Sequence, residues 1–430
     1  MKRLLLVATV VVLAGCTGFL PDDGDSGREL PDEVGEVENV SYDEDIDVDA
    51  SDGLSEAELD PFVKRSMARV EVVRERSYKR PVDVALITRA EYREAYNDQF
   101  TDETRAAWRN QLWKGLFIVG DDRDAVAVLD ETFGAAVQGF YDPGEETIFI
   151  VSDNEEARIS KQTLVHELVH AIQHQHFGLG SDADTWDAEQ AYESVIEGEA
   201  AVVPDRYLDN CDDWGCLRPG GDATASSDAD PDVLLVVRLP YTAGADFVEA
   251  IEDEGGWEAV DDLHENPPDT TAEVIHPDRH GDIDPADVEV EDRSTPAWSR
   301  FDHDPVGETL GEASMFAMLA TNGGIETDDI RSYDHPATEG WAGDQFVPYR
   351  NGDGFGYVWE TVWESSDDAR EFEEAYEQML DEQGGLARGA NSHTIQSGPF
   401  EGGYRVLRAG STVRIVHAPS VRDLSAVHAN

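Results

Sequence analysis

The segment His166-Glu167-Leu168-Val169-His170 constrains this chain more than any other five residues in it. Leu164, Val165, Leu168, Val169 and Ile172 recur around it at helical spacing, which predicts a helix with one buried face. On a helix, positions i and i+4 share a face, so the two imidazoles point the same way. Two ring nitrogens a turn apart can pinch one Zn2+, and the carboxylate after the first His can take a proton from a water on that metal. The fold must therefore bury one side of this helix and open the adjacent side to a cleft.

A catalytic zinc takes three protein ligands and keeps one position open. Two residues compete for the third place. Glu197, in Glu197-Gly198-Glu199-Ala200, falls on the next predicted helix, far enough along for a turn and an antiparallel return. His176 has the spacing of the HExxHxxGxxH pattern of metzincins, but that pattern needs Gly where this chain has Gln173. If the helix runs on at about 100° per residue, His176 points away from His166 and His170. No Met-turn is visible, since Met315 and Met318 lie in a helical-looking run. The spacing favours Glu197 over His176. Glu199 lies about 200° around the helix from Glu197, whereas Glu193, one turn earlier, shares its face.

Glu197-Gly198-Glu199-Ala200 resembles the Glu-Gly-x-Ala segment that carries the third ligand in zinc aminopeptidases. The whole set resembles the gluzincins, zinc peptidases built on HExxH plus a Glu. Gln138-Gly139-Phe140-Tyr141-Asp142-Pro143, Tyr241-Thr242-Ala243-Gly244, His276-Pro277 and Gly340-Trp341-Ala342-Gly343-Asp344 look like stretches of bacterial and archaeal HExxH proteins, over most of residues 55 to 420. The resemblance implies peptide-bond hydrolysis with one Zn2+ per chain, held by His166, His170 and Glu197. Glu167 would activate the water and pass its proton to the leaving amine. Gluzincins generally stabilise the oxyanion with a Tyr or His from outside the motif. Tyr241 and His276 are the candidates, Tyr241 ahead. The implied fold class is α+β, a zincin-like and mainly helical catalytic domain with a small β-sheet or hairpin. Zincin clefts carry an edge strand that pairs with extended peptide. Glu146 to Val151 fits that place, and an internal core strand fits it equally. His174 extends the His stripe as a surface or supporting residue, and Trp257, Trp341, Trp359 and Trp363 read as core.

The chain begins with Lys2-Arg3 and an apolar run from Leu4 to Leu13, too short to span a bilayer comfortably. Residues 1–19 therefore read as a signal peptide. Leu13-Ala14-Gly15-Cys16 resembles a lipobox, which implies lipidation of Cys16 and anchoring to the outer face of the cytoplasmic membrane; an ordinary signal peptide is the alternative. Residues 20–54, acidic and poor in apolar side chains, predict a disordered tether. No later stretch reads as a membrane span. Cys211 and Cys216 are close enough to form a small disulfide outside the cell.

Net charge is −61, from 32 basic and 93 acidic residues, so nucleic acid is excluded as a partner. Lys occurs only at positions 2, 64, 79, 114 and 161. Such an acidic, Lys-poor surface resembles proteins of extreme halophiles, haloarchaeal ones among them. Concentrated salt shortens the Debye length to about 3 Å and screens the self-repulsion. Nine Trp and 40 % hydrophobic residues predict a real core despite that charge.

Periodicity predicts helices over Ser55–Arg76, Arg89–Tyr96, Asp102–Leu112 and Asp184–Leu208, and a strand over Pro81–Ile87. Gln138–Val151 predicts a hairpin turning at Asp142-Pro143-Gly144, and residues 212–232 an exposed loop. Further helices follow from Tyr241, broken at Pro267-Pro268 and Pro277. Tyr357–Trp363 predicts a strand, Asp367–Leu380 a helix, and Tyr404–Arg408 with Thr412–His417 a closing hairpin. The expected division is a catalytic domain over 55–320 and a smaller α+β C-terminal module over 321–430. Two functions compete. One is a lipid-anchored zinc peptidase acting on peptide or protein substrates at the cell surface. The other is a non-catalytic surface lipoprotein that keeps the fold for binding or scaffolding.

Overall fold

The computed structural model describes residues 30, 33–49, 54–96, 102–152, 161–216, 229–352 and 354–429. The expected signal peptide, the lipobox with Cys16 and part of the expected tether lie outside these residues. The rest of the tether expectation needs correction. Residues 33–49 are packed on the protein, with strands β1 (Glu36–Val37) and β2 (Val40–Ser41) antiparallel and Val37 fully buried. Gly35 donates its amide to Glu71 Oε2 at 2.8 Å. One buried valine and one buried carboxylate acceptor anchor a segment whose composition alone argues for solvation.

Glu71 lies on α1 (Glu56–Arg74), which starts at a capping box between Ser55 and Glu58. Strand β3 (Asp83–Ile87) follows, then helices α2 (Arg89–Tyr96), α3 (Glu103–Gly115) and α4 (Ala125–Ala136). These helices form a crossover, because β3 pairs in parallel with β5 (Thr147–Val151). Strand β4 (Gly139–Asp142) pairs antiparallel with β5, as the hairpin pattern predicts. The sheet order is β3-β5-β4, so β5 is internal and β4 is at an edge of the described sheet. The edge-strand expectation for Glu146–Val151 is thereby corrected: Ile148 and Ile150 are fully buried, and ladders flank the strand on both sides.

Helices α5 (Lys161–Phe177) and α6 (Trp186–Asp209) come next, then the short α7 (Cys211–Trp214), closed by a Cys211–Cys216 disulfide. Helices α8 (Pro231–Val237), α9 (Ala243–Glu265) and α10 (Thr271–Ile275) complete the helical half. Helix α5 buries Leu164, Val165, Leu168, Val169 and Ile172, each at 1 % exposure or less, as the stripe requires. Gly198 on α6 and Gly244 on α9 let those helices meet: a Cβ on Gly198 would lie 2.4 Å from the Gly244 carbonyl oxygen.

The C-terminal half is one antiparallel sheet. It contains β6 (Ser299–Arg300), β7 (Trp341–Asn351), β8 (Gly354–Trp363), β9 (Leu386–Ala387), β10 (Ser392–Ile395), β11 (Gly402–Ala409) and β12 (Thr412–Ala418). Their order is β6-β7-β8-β12-β11-β10-β9. Helix α12 (Ser366–Glu382) lays Phe372 against Trp359 and Trp363, with ring centroids 6.2 and 4.8 Å away. A short α13 (Leu424–Val427) closes the chain. The sheet begins before the expected boundary at 321, since β6 and the buried helix α11 (Gly311–Thr321) precede it. A single apolar cluster runs from Val37 to Ile415, so the two halves share one core. The observed class is α+β. Among the described residues, no helix is long and apolar enough to cross a membrane.

The halves are joined at Asp344 on β7. Its carboxylate accepts from the Leu310 and Gly311 amides at 3.1 and 3.0 Å, and from the Trp341 and Trp359 indoles at 3.1 and 2.8 Å. Gly311 has φ +76°, and a Cβ there would run into Asp187. Asp187, fully buried on α6, takes the Thr271 hydroxyl at 2.5 Å.

Candidate metal centre

Helix α5 presents His166 and His170 on one face, with Nε2 atoms 3.0 Å apart and rings nearly perpendicular at 88°. Helix α6 returns antiparallel beside it and brings Glu197 to both. Glu197 Oε2 lies 3.1 Å from His166 Nε2 and 3.4 Å from His170 Nε2. Zinc bonds of 2.0–2.1 Å at tetrahedral angles put ligand atoms about 3.3 Å apart. The three separations bracket that value. Among the described residues this is the one group of three or more His, Cys, Asp or Glu side chains spaced to hold a metal ion.

The rest of the shell decides which nitrogen is free. His170 Nδ1 lies 2.9 Å from Gln173 Oε1. The Gln173 amide is oriented by its other end, which donates to the Ile196 carbonyl at 2.9 Å and to Glu199 Oε2 at 3.1 Å. Its oxygen therefore faces His170, Nδ1 carries the proton, and the Nε2 lone pair is left for a metal. Glu199 is itself held by Arg74 Nε at 2.5 Å and His264 Nε2 at 2.6 Å. Arg74 continues to Asp261 at 2.6 Å and stacks over Trp257 at 4.5 Å. This buried chain, from His170 through Gln173 and Glu199 to Arg74, holds the His170 ring in place.

Sequence reasoning missed it. Gln173 sits one turn from His170 on the same face, but its spacing alone does not mark it as a partner of His170. Glu199 does face away from the ligand set, as the helical angle requires, and acts through Gln173. Arg74 and His264 carry no local signal.

The electrostatics follow from burial. Without a metal, burial lowers the His170 pKa, but the charge of Glu197 outweighs it and lifts it to about 9. Burial lowers His166. The Glu197 carboxyl is pushed up by burial, yet His170 and His166 outweigh that and hold it well below the usual carboxylate range. Glu167 is fully buried and pushed up to about 8 by that burial. The Tyr141 backbone amide points at it and opposes that rise, but neither of its oxygens closes a hydrogen bond of full geometry.

Tyr241 stands in a tight turn just before α9, so the Gly198–Gly244 contact sets its position against α6. Its ring stacks along His166 at 6.1 Å, and its buried hydroxyl approaches Glu197 without closing a hydrogen bond of full geometry. Burial, then the charges of Glu197 and Glu193, keep that phenol well above its ordinary pKa, hence protonated.

The other candidates lie elsewhere. His276 sits 3.1 Å from Glu312 on α11, and its other charged neighbours are Asp334 and Glu339, so it is not a donor at this centre. Pro277 ends α10 there and turns His276 toward α11. His176 is taken by the Ser77 carbonyl at 2.8 Å and Arg76 at 3.1 Å, on the far side of α5. His174 meets the Tyr141 hydroxyl at 2.9 Å.

A family model described as "Domain of unknown function (DUF8575)" matches residues 299–428. No curated protein and no solved structure matches the chain. The matched range covers the C-terminal sheet with α11, α12 and α13, and His166, His170 and Glu197 lie outside it.

Proposed function

We propose that the chain is a zinc-dependent peptidase of gluzincin-like type, with a zincin-like helical half, exported and anchored to the cell surface through a lipid on Cys16. The observation that carries this reading is the approach of His166, His170 and Glu197 to within a tetrahedral edge of one another, beside a buried Glu167 whose oxygens close no side-chain hydrogen bond. The donor set suits zinc: two imidazoles and one carboxylate leave the fourth position open. When bound, zinc would supply a Lewis acid that acidifies a water and polarises a carbonyl. Glu167 takes the proton of the attacking water and returns it to the departing amine. The protonated Tyr241 hydroxyl donates to the oxyanion as it forms. Strand β4 takes the edge role first expected of β5, because its Tyr141 backbone faces Glu167.

A scaffold that only bound ligands would gain by exchanging Glu167 for an apolar residue, since a lone buried carboxyl is destabilising. Its retention favours catalysis. Hydrolysis of a generic protein substrate in molar salt with added zinc tests the proposal. Wild type is expected to cleave; Glu167→Gln is expected to bind one zinc and lose 100-fold or more of the rate, on the order of a general base's contribution. Equal activity in both proteins, or none in either, contradicts the reading.

A further inference from the structure

Six buried side-chain atoms without a hydrogen-bond partner gather around this centre: both oxygens of Glu167, Gln190 Oε1, Glu193 Oε1, Glu197 Oε2 and the Tyr241 hydroxyl. A metal accounts for Glu197, and proton transfer and oxyanion binding account for Glu167 and Tyr241. Gln190 Oε1 and Glu193 Oε1 remain without a role. Both side chains are more than nine-tenths buried, Gln190 at 3 % exposure and Glu193 at 8 %.

Gln190 Nε2 donates to Glu193 Oε2 at 2.9 Å, which fixes the amide so that its oxygen is the group left over. With Glu193 ionised, the pair presents two acceptors and no donor; burial pushes that carboxyl well above its usual range, so an arriving cation is what would hold it ionised. An anion would be repelled and a hydroxyl would satisfy one oxygen; a water can donate to both, but of these only an ammonium donates to both and also matches the carboxylate's charge. No Lys or Arg side chain is paired with Glu193 among the described residues. Glu193 precedes Glu197 by one helical turn on the same face, about 6 Å along α6. Extended peptide advances about 3.3–3.6 Å per residue, so a cation there and a carbonyl at the metal belong to neighbouring parts of one substrate. His166 (6 %), Glu197 (7 %) and Glu193 (8 %) each keep a slight exposure to solvent.

We propose that Glu193 and Gln190 form a subsite for an ammonium group carried by the substrate next to the bond that is cut, either a free α-amine or a lysine side chain. This rests on the peptidase reading of the adjoining centre, but the ammonium site can be tested apart from it. The probes are n-butylammonium and its neutral counterpart n-butyramide, titrated by NMR into the zinc-loaded full chain in matched molar salt. Butylammonium is expected to bind about tenfold or more tightly than butyramide, as for a charge-assisted hydrogen bond. In Glu193→Gln, which keeps the size and removes the charge, that preference is expected to fall below about twofold. Gln190→Met, with zinc content as the check on folding, is expected to weaken it in part. Tetrapeptides with a free N-terminus, with an acetylated one, and acetylated with an internal lysine then separate the two sources of the ammonium through their kcat/KM ratios. If wild type cleaves no peptide, the peptidase reading fails while butylammonium binding still decides the subsite. Absence of binding in wild type, binding undiminished in Glu193→Gln, or displacement of the probe by a second equivalent of zinc overturns the proposal.

Discussion

Glu167 on α5 and Asp344 on β7 are both buried carboxylates, and the structure treats them in opposite ways. Asp344 receives four donors, two from the chain entering α11 and two from indoles of its own sheet. Glu167, at 0 % exposure, has only the Tyr141 backbone amide aimed at it, short of full hydrogen-bond geometry. A satisfied buried charge works as a clamp, because removing it strands its donors. An unsatisfied one is destabilising by itself and persists where chemistry needs it. The contrast separates a half of the molecule organised around a site from a half organised around a joint.

The sharpest way to break that contrast is to make both carboxylates apolar. Glu167→Leu is expected to lose 10²- to 10⁴-fold in turnover while keeping zinc, and to gain about 1–2 kcal/mol in stability, read by thermal melting. Asp344→Ala is expected to do the reverse, losing about 3 kcal/mol or more as four buried donors lose their acceptor. Zinc affinity per folded chain should be unchanged, which metal titration of the soluble fraction checks. If Glu167→Leu is destabilised as much as Asp344→Ala, the distinction between site and clamp fails.

A smaller effect is expected one layer out. Gln173→Leu frees the Nδ1 proton of His170 and should weaken zinc binding by about 10- to 100-fold, the usual consequence of removing a ligand's supporting partner. His176→Ala should leave it untouched. Competition with a chromophoric chelator measures both.

The smallest effect concerns pH at the joint. Burial pushes Asp187 up to about 8, and Glu308 and Glu312 to about 7, from ordinary values of 3.8 and 4.5. These folded values lie above the unfolded ones, so the folded protein holds protons that the unfolded chain releases. Their stabilising contribution is complete below about pH 4 and is lost as pH rises through 7 to 8, by roughly 1.4 kcal/mol per unit for each group within its window. Melting temperature in constant molar salt should fall over that range, and Asp187→Asn should flatten the fall.

The local features were legible in the chain. The apolar stripe marked α5, Asp142-Pro143-Gly144 marked the β4–β5 turn, and the Glu-Gly-x-Ala segment put Glu197 opposite the histidines. Each depends on neighbours within a turn or a hairpin, where spacing fixes geometry. What escaped depends on partners far apart in sequence. Strand β3 pairs with β5 across three helices, which turned a plausible edge into an interior strand. Val37 and Gly35 reach α1 and contradict their acidic surroundings. The sheet recruits Ser299–Arg300 ahead of the expected boundary through a pairing with Tyr349 and Arg350 that no local pattern announces. The partners Arg74 and His264 of Glu199 come from α1 and α9.

Zinc stoichiometry of purified chains after loading and exhaustive dialysis tests the central claim most directly. The account expects one zinc per chain in wild type and in His176→Ala, and none in Glu197→Ala. Zinc retained at full occupancy in Glu197→Ala, or absent from the wild type, would contradict it.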